Sequence, residues 1–427
     1  MEGVKMNHKI IECIKKDAIP LKEFKDYGPL INKVAEAKFV LLGESSHGTS
    51  EYYQIRAKLS KQLIQEKSFT FIAVEGDWPA CQHINRYIKS YDNRHKNARE
   101  ALTAFGRWPT WMWANEELID LIEWMKSYNQ DRPKEEQVGF YGVDVYSLWE
   151  SMEEIIKYME KTDSPDLETA KKAFACFEPF NRDPQLYGVS GSFYSEDCKD
   201  EVVKLLTDIT LEKKKYTSYY EEGKLNLEVN AIVTANAEKY YRTMVTDDTE
   251  SWNIRDRHMV EVLNKISSFY GEKAKGIVWE HNTHVGDARA TDMADVGMVN
   301  VGQLLREQNA DENVCIVGFG THRGTVIAAD EWGVDFERMI VPPAQEGSWE
   351  DMMHRAGPHD KLLLFDKNNH DRYTDRIGHR AIGVVYNPRY EQYGNYVPSI
   401  MSERYDAFIY INNTNALQPL KVEKVLL

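Results

Sequence analysis

A glutamate and a histidine lie three residues apart in a polar segment near the start of the chain. The apolar run Phe39–Leu42 ends at Gly43, and Glu44 and His47 follow it. Continuous apolar runs of this length are typical of strands buried in a parallel sheet. Apolar residues recur at helical spacing from about Ser50 onward. We therefore expect Glu44 and His47 at the carboxyl end of a strand, where open α/β sheets bind ligands.

Acids and imidazoles recur after four more predicted strands. They are Glu75 after the run 69–74, Asp144 at the end of 138–144, His281 and His284 after 276–279, and His322 after 314–318. Parallel strands end at one edge of their sheet, so these groups should converge. A histidine next to a carboxylate is a common general base near neutral pH. The set predicts a site that deprotonates water for attack on a carbonyl carbon.

The same side chains have other interpretations. They could hold a divalent metal ion that lowers the pKa of bound water. The pair His281 and His284 is a weak metal signal by itself, and we predict no metal and no other cofactor. No glycine-rich nucleotide motif follows a predicted strand, which argues against a nucleotide cofactor. Glu44 could simply cap the helix that follows it.

Two features bear on substrate binding. Arg56, in the first predicted helix, could reach the site and bind a carboxylate or an oxyanion, or it could be a solvated surface arginine. The segment 105–113 holds three tryptophans in six residues, which either pack in the core or line a pocket for a bulky ligand. We take Trp111 as a substrate-binding residue and predict a bulky, amphipathic small-molecule substrate.

Composition narrows the class of protein. The chain has 427 residues, 53 of them basic and 68 acidic, for a formal net charge of -15. No basic cluster suits nucleic acid, and no apolar run reaches the ~18–20 residues of a membrane span. The five cysteines are scattered without a C-x-x-C pair, so we expect neither a disulfide framework nor a thiolate zinc site. With no signal-peptide pattern at the start, we predict a cytoplasmic protein.

The order of periodic segments predicts an α/β fold. We expect a mostly parallel central sheet flanked by helices, with a helical insertion over the cleft at the strand ends. Residues 1–147 would form the first part of the core, 148–275 the helical insertion and 276–427 the second part. Inside the insertion, residues 180–195 are predicted to be an irregular loop.

The chain resembles the erythromycin esterase family. The resemblance runs from about residue 30 to residue 420 and rests on motifs that occur in order along the chain. They are Leu42-Gly43-Glu44-Ser45-Ser46-His47-Gly48-Thr49, Val74-Glu75-Gly76-Asp77-Trp78, Trp108-Pro109-Thr110-Trp111-Met112-Trp113, Trp252-Asn253-Ile254-Arg255-Asp256, Glu280-His281-Asn282-Thr283-His284 and Gly320-Thr321-His322.

The resemblance implies a deep cleft and hydrolysis of a macrolide's cyclic ester, without a covalent acyl-enzyme and without a metal. Water would be activated on His47. The functional positions that it carries over are Glu44, His47, Arg56, Glu75, His281 and His284, with Arg255 and His322 as further motif matches that we assign to substrate binding.

In this hypothesis either Glu75 or Glu44 orients the proton, and either His281 or His284 stabilises the oxyanion. Two alternatives stay open. One is a metal-dependent hydrolase of another ester or amide that uses the same residues. The other is a protein that binds a small molecule and converts nothing.

Overall fold

A mostly parallel sheet flanked by helices forms the centre of the molecule, as the sequence predicts. The computed structural model describes residues 2–194, 197–211 and 222–422. Its strands are β1 (Ile19–Pro20), β2 (Phe39–Leu42), β3 (Phe71–Asp77), β4 (Gly139–Asp144), β5 (Gly276–Trp279), β6 (Val314–Ala328), β7 (Glu337–Val341), β8 (Lys361–Leu364), β9 (Arg376–Arg380), β10 (Tyr396–Ile400) and β11 (Ala407–Thr414).

Helices cover both faces of this sheet and fill the long stretch between β4 and β5. Within the described residues they are α1 (Glu2–Asp17), α2 (Gly28–Val34), α3 (Ser50–Lys67), α4 (Trp78–Ile88), α5 (Ala98–Leu102), α6 (Glu116–Asn129), α7 (Leu148–Lys161), α8 (Leu167–Phe177), α9 (Pro184–Phe193), α10 (Lys199–Leu211), α11 (Gly223–Thr243), α12 (Asp248–Tyr270), α13 (Asn282–Val285), α14 (Val301–Gln308), α15 (Trp349–Arg355), α16 (Glu391–Gly394) and α17 (Met401–Arg404).

The register of the central strands brings their carboxyl ends level with one another. The strand order is β1-β8-β11-β6-β2-β5-β3-β4, and all pairings from β11 to β4 are parallel. Leu42 lies opposite Trp279 and Val317, and Val74 lies opposite Trp279 and Gly142. The residues that follow these positions therefore meet at one edge of the sheet.

Both faces of the sheet are buried, which explains why its strands are continuously apolar. In β2, Val40 and Leu42 belong to one core cluster, whereas Phe39 and Leu41 belong to the other. Successive side chains of a strand point to opposite faces, so neither set can be polar. The fold class predicted from the sequence is confirmed.

The stretch between β4 and β5 contains helices α7 to α12, and it has an apolar cluster of its own. The predicted irregular loop over 180–195 is wrong, because α9 occupies most of it. The Asp183 side chain accepts hydrogen bonds from the backbone N–H groups of Gln185 and Leu186, and Pro184 stands in the first turn. This is a regular helix start. The division of the chain at residues 147 and 275 stays a prediction.

One pair of cysteines departs from the expectation that the scattered cysteines form no disulfide framework. Cys176, near the end of α8, forms a disulfide with Cys198, which precedes α10. Cys13, Cys81 and Cys315 are free. The pair is brought together by the packing of α8 against α10, which no local sequence spacing reveals.

Membrane insertion finds no support in the helices. Within the described residues, none combines the length and the apolar character that crossing a bilayer demands.

We predict that shortening one central isoleucine costs far more stability than shortening an exposed one. Ile277 in β5 is fully buried, whereas Ile340 in β7 is 69% exposed. Ile277→Ala should lower the free energy of unfolding by about 2–5 kcal/mol, since it leaves a cavity in a packed core. Ile340→Ala is the matched control and should cost less than about 1 kcal/mol. Urea denaturation of both variants tests this, and equal losses would contradict the assignment of β5 to the core.

Candidate active site

The residues at the shared sheet edge arrive on separate turns. Glu44 and His47 lie on the turn between β2 and α3, and Glu75 lies near the end of β3. His281 caps the short helix α13, which also carries His284. The rings of His47 and His281 have their centres 4.8 Å apart. The strand-end groups of β2, β3 and β5 thus converge as the sequence predicts.

Glu44 holds His47 from one side and is itself held by Arg56. The Nδ1 atom of His47 lies 2.9 Å from Oε1 of Glu44, and Nη2 of Arg56 donates to Oε2 of Glu44 at 2.7 Å. All three side chains are buried. Since the carboxylate accepts a hydrogen bond from Nδ1, Nε2 of His47 keeps its lone pair. His47 is therefore oriented as a base whose free nitrogen faces away from Glu44.

The charges around His47 make it more basic than an ordinary histidine. Burial alone lowers the pKa of His47, but the negative charges of Glu75 and Glu44 outweigh burial, so the pKa is raised. A proton taken up by this ring is thus stabilised by two carboxylates.

Arg56 is neither a surface residue nor a lining residue of the cavity described below. Its guanidinium is fully buried and packs over the rings of Tyr53 and Trp279. The hydrogen bond that joins it to the site is the one that Nη2 donates to Glu44. The structure therefore rejects the solvated-surface interpretation, and it does not support direct contact of Arg56 with a substrate.

Glu75 is the most heavily shared carboxylate of the site. It accepts hydrogen bonds from the backbone N–H of His281 at 2.8 Å and from Nη2 of Arg255 at 2.7 Å. Burial would raise the pKa of Glu75, but the imidazoles of His284 and His47 and the guanidinium of Arg255 hold it well below its ordinary value. Glu75 therefore remains a negative charge near His47 at neutral pH.

Arg255 enters from helix α12 and connects three elements. Its Nε and Nη2 atoms donate to the two oxygens of Asp144, at 2.9 and 2.8 Å, in a two-pronged pair. Its Nη1 lies 3.0 Å from Nε2 of His284. A guanidinium can only donate, so Nε2 of His284 must accept this hydrogen bond.

The remaining nitrogen of His284 is therefore the protonated one. Nδ1 of His284 lies 3.0 and 2.9 Å from the two oxygens of Asp256, which accept the hydrogen bond. The ring of Trp252 stacks on the imidazole at 4.5 Å. Both nitrogens of His284 are thus occupied, and the ring is fixed in place.

His281 has the opposite arrangement. Its Nδ1 accepts from the backbone N–H of Thr283 at 3.3 Å and lies 2.8 Å from the hydroxyl of Thr283. Its Nε2 finds no hydrogen-bond partner among the described residues. Burial and the nearby His47 hold the pKa of His281 well below its ordinary value, so the ring is neutral with its proton on Nε2. It offers one unused N–H donor.

Asn282 joins the two turns that carry the imidazoles. Its backbone N–H donates to the carbonyl of Glu44 at 2.8 Å, and its side-chain amide donates to the carbonyl of Phe319 at 2.7 Å and contacts Nε2 of His379 at 3.1 Å. A Cβ atom added to Gly43 would lie 2.1 Å from Oδ1 of Asn282. Glycine at position 43 is what allows the two turns to approach this closely.

Glu280 is a buried acid that our sequence reasoning gave no role. Both of its carboxyl oxygens lack partners among the described residues. Burial and the nearby carboxyl groups of Glu75 and Asp256 raise the pKa of Glu280 well above its ordinary value. Burial without partners therefore favours the neutral form of Glu280.

A cavity of about 550 Å³ opens onto this cluster. His47, Glu75, Asp144, Tyr146 and Arg255 contribute to its inner surface. The lining is mixed in character. Its apolar members include Phe105, Trp108, Pro109, Met112, Trp113, Trp332 and Val384, and its polar and charged members include Asp77, His83, Arg107, Glu150, Glu153, Glu154, Lys157 and Arg182.

Two more residues assigned to substrate binding, besides Arg56, lie away from the cavity lining. Trp111 is 1% exposed and packs in the core beneath the cavity wall that its neighbours form. His322 stacks on His354, with ring centres 3.8 Å apart, and does not line the cavity. The reason is that β6 does not end at Gly318 but continues to Ala328, so His322 lies within a strand rather than on a strand-end turn.

Sequence reasoning missed Asp256 and Asn282 as parts of the site, and it noted Asp144 without a role. The position of Asp144 could have been interpreted from the sequence, because it lies at the end of a predicted strand. Glu44 and Glu75 likewise come directly after predicted strands. Asp256 stood beside Arg255 in a recognised motif, but a contact with His284 across 28 residues has no local signature. No sequence pattern indicates Asn282, since it holds together two backbone segments that are far apart in the chain.

Metal binding by the same side chains has little geometric basis. The described residues bring no three His, Cys, Asp or Glu side chains together in a group that could hold a metal ion. The imidazole nitrogens of His284 are both engaged by protein side chains.

Comparison with known proteins identifies relatives of this chain. A sequence model described as erythromycin esterase matches residues 64–414, a range that begins after Glu44, His47 and Arg56. Erythromycin esterase type II of Escherichia coli is 22% identical over 396 residues, covering 83% of this chain and 88% of that protein.

Solved structures share the fold. A crystal structure of a Bacillus cereus protein superimposes with a TM-score of 0.80 at 18% identity, covering 97% of this chain and 99% of that one. A mutant of the erythromycin esterase EreC, in its open conformation, superimposes with a TM-score of 0.63 at 16% identity, covering 94% and 97%.

We predict that Glu44→Gln lowers the pKa of His47. The substitution keeps the shape of the side chain but removes one of the two negative charges that raise this pKa. NMR titration of histidine-labelled protein measures the change, and the spectrum of a His47→Gln variant assigns the signal. Glu66→Gln, at an exposed position near the end of α3, removes the same charge away from the site and should leave the titration unaltered. An unchanged pKa in Glu44→Gln would show that the carboxylate does not set the basicity of His47.

Proposed function

Since the chain belongs to the erythromycin esterase family and is a hydrolase of that family, we propose that it cleaves a carboxylic ester with water activated by His47. The observation that carries the proposal is the His47 ring itself. Its Nδ1 is bonded to a buried carboxylate and its Nε2 is free, beside a cavity large enough for a small-molecule substrate.

In the first step, Nε2 of His47 takes a proton from water while the water oxygen attacks the ester carbonyl carbon. The raised pKa of His47 suits this task, because a more basic imidazole accepts the proton more readily. Glu44 keeps the ring in the right tautomer, and Arg56 keeps Glu44 in place. In the second step, the tetrahedral intermediate expels the alkoxide, which receives the proton from His47. The products are one acid and one alcohol.

The oxyanion of the intermediate needs a donor, and we assign this role to His281 rather than His284. Neither ring lines the cavity, but the ring of His281 lies 4.8 Å from that of His47, which does. Nε2–H of His281 is unused in the described structure, whereas Nε2 of His284 already accepts from Arg255. A neutral imidazole can stabilise developing negative charge through one well-aimed N–H. His284 and Arg255 then act on Glu75, which keeps a negative charge close to the protonated His47.

The mixture of large apolar side chains and charged side chains in the cavity lining supports a bulky, amphipathic ester as the substrate. Macrocyclic lactones have this character, and the E. coli relative carries the name erythromycin esterase. We therefore propose a macrolide lactone or a related bulky ester, and with it a function in the response to antibiotics. The mechanism as written uses only protein groups and water, so we propose hydrolysis without a cofactor.

We predict that His47→Ala abolishes hydrolysis of the responsive ester. The wild-type protein should convert a member of a macrolide and lactone panel to a product heavier by one water, read by mass spectrometry. Loss of the general base should lower kcat by about 100-fold or more. His370→Ala, which changes a half-exposed histidine on the surface, is the matched control and should keep full activity.

A loss below about tenfold in His47→Ala would remove this residue from the mechanism. Activity that disappears after chelation and returns with a divalent metal would support the metal-dependent alternative. Tight binding of panel members without any product would support a protein that only binds its ligand.

We also predict that His281→Ala lowers kcat by about 100–1,000-fold with little change in KM, because its donor is used mainly in the transition state. Steady-state kinetics on the responsive ester measures both constants. The denaturation midpoint of the variant controls for misfolding. If kcat falls by less than about threefold, the oxyanion donor must be another group.

A further inference from the structure

One tryptophan at the mouth of the cavity is left largely open to solvent. Trp332 lies in the connection between β6 and β7 and is 65% exposed, although it also lines the cavity. A large aromatic surface in this position is unfavourable in water unless something covers it during function. Nothing assigned so far to the site uses Trp332.

Trp332 is paired with a second tryptophan from a distant part of the chain. Its ring lies 4.5 Å from the ring of Trp108, with the planes inclined by 58°. The indole N–H of Trp108 donates to the carbonyl of Val334 at 2.8 Å. This hydrogen bond ties the connection between β6 and β7 to the segment before α6, so the two indoles are held in place before a ligand arrives.

We propose that Trp108 and Trp332 form a stacking subsite for the apolar face of the substrate, and that Trp332 determines specificity for bulky esters. The proposal rests on the proposed function, since it names the part of the cavity that would recognise such an ester. The ligand class is a cyclic or polycyclic molecule with one extended hydrocarbon face. Neither tryptophan contributes to the proton transfer.

The position of the pair in the cavity supports this assignment. Phe105, Met112 and Trp113 line the same cavity as the two indoles, and the indole N–H of Trp113 donates to the carbonyl of Glu75 at 2.8 Å. A ligand with its apolar face on these rings would also meet charged side chains of α7 that line the cavity, such as Glu154 and Lys157. Tryptophan is well suited to such anchoring, because it buries a large area with few rotatable bonds.

The contact is expected to act on binding rather than on the chemical step. An anchor that contacts the substrate equally in the ground state and the transition state lowers KM and leaves kcat unchanged, and a rigid stacking contact away from the reacting carbonyl should behave in this way. Its removal should therefore raise KM and Kd while kcat stays nearly constant. Small esters that do not reach the cavity mouth should keep the same KM and Kd when Trp332 is removed.

The first measurement is equilibrium binding by calorimetry in the His47→Ala background, so that no probe is consumed. The probes are erythromycin, a simple macrocyclic lactone and 1-naphthyl acetate, with ethyl acetate as the small ester. Trp332→Ala should weaken binding of at least one bulky probe by about tenfold. Trp332→Phe keeps an aromatic face and should recover most of the loss. Tyr393→Ala removes an aromatic ring that is 78% exposed and lies outside the cavity lining, so it should have no effect.

The second measurement separates this proposal from the proposed function. Bulky probes that bind through Trp332 without being hydrolysed by the wild-type protein would refute the esterase and leave the subsite standing. Hydrolysis of bulky esters by Trp332→Ala with an unchanged KM would refute the subsite and leave the esterase proposal standing. Failure of every bulky probe to bind would overturn the subsite. So would a change in oligomeric state, seen by sedimentation, as the only effect of Trp332→Ala, because the exposed indole would then cover a second copy of the chain.

Discussion

Pairing of buried charge is the constraint on which the site depends. Glu44, Glu75, Asp144 and Asp256 are all nearly or fully inaccessible to solvent. A buried carboxylate is tolerated only when cations and hydrogen-bond donors replace the lost water. Arg56 pairs with Glu44, Arg255 pairs with Glu75 and Asp144, and His284 pairs with Asp256. These pairs leave little freedom of movement, and so they fix the reactive rings before a substrate enters.

The same pairing gives three histidines of one cluster three different states. The Nδ1 of His47 faces a carboxylate, which makes the ring a base with its free nitrogen on the other side. The Nδ1 of His281 accepts from Thr283, which places its proton on Nε2. His284 is engaged at both nitrogens. One residue type thus supplies a base, a donor and a structural contact, and only the hydrogen-bond partners of each ring distinguish them.

The sequence predicted the strand-end acids and imidazoles well, because their position follows from a local rule. An apolar run buried on both faces must be a central parallel strand, and all such strands end at one edge. The predictions that were wrong concerned features that long-range packing determines. His322 copies the layout around His47, but β6 continues ten residues beyond Gly318, whereas β2 ends at Leu42. The length of a strand is set by its neighbours, here β11 and β7, and not by its own residues.

Arg56 and Trp111 show the same limit for single side chains. An arginine on an amphipathic helix is normally exposed, and only the presence of Glu44 beneath α3 explains its complete burial. In the tryptophan-rich segment, Trp108 and Trp113 line the cavity, whereas Trp111 between them faces the core. The segment contains a short 3-10 turn at Thr110–Met112, which rotates Trp111 away from its neighbours. The composition of this segment predicted aromatic rings along the cavity, but the backbone conformation determines which of these rings line it.

The charged groups at the sheet edge and the side chains that line the cavity differ in how far the effect of a substitution would spread. The acids and imidazoles of the cluster lie at strand ends or on α12, and Glu44 and Glu75 are each bonded to two partners. The cavity lining comes from the segment 105–113, from α7 and from the connection between β6 and β7. Within that segment Arg107 pairs with Asp77 and Trp113 donates to the carbonyl of Glu75, whereas Trp108 contacts Trp332 and Val334. A substitution of Trp332 therefore alters the area offered to a ligand without removing a member of the buried charge pairs. A substitution at the edge disturbs several pairs at once, because each carboxylate is shared. Residues such as Trp332 can therefore change while the charge pairs at the sheet edge stay intact, so the cavity lining, rather than the edge, is where the fit of a ligand can be altered.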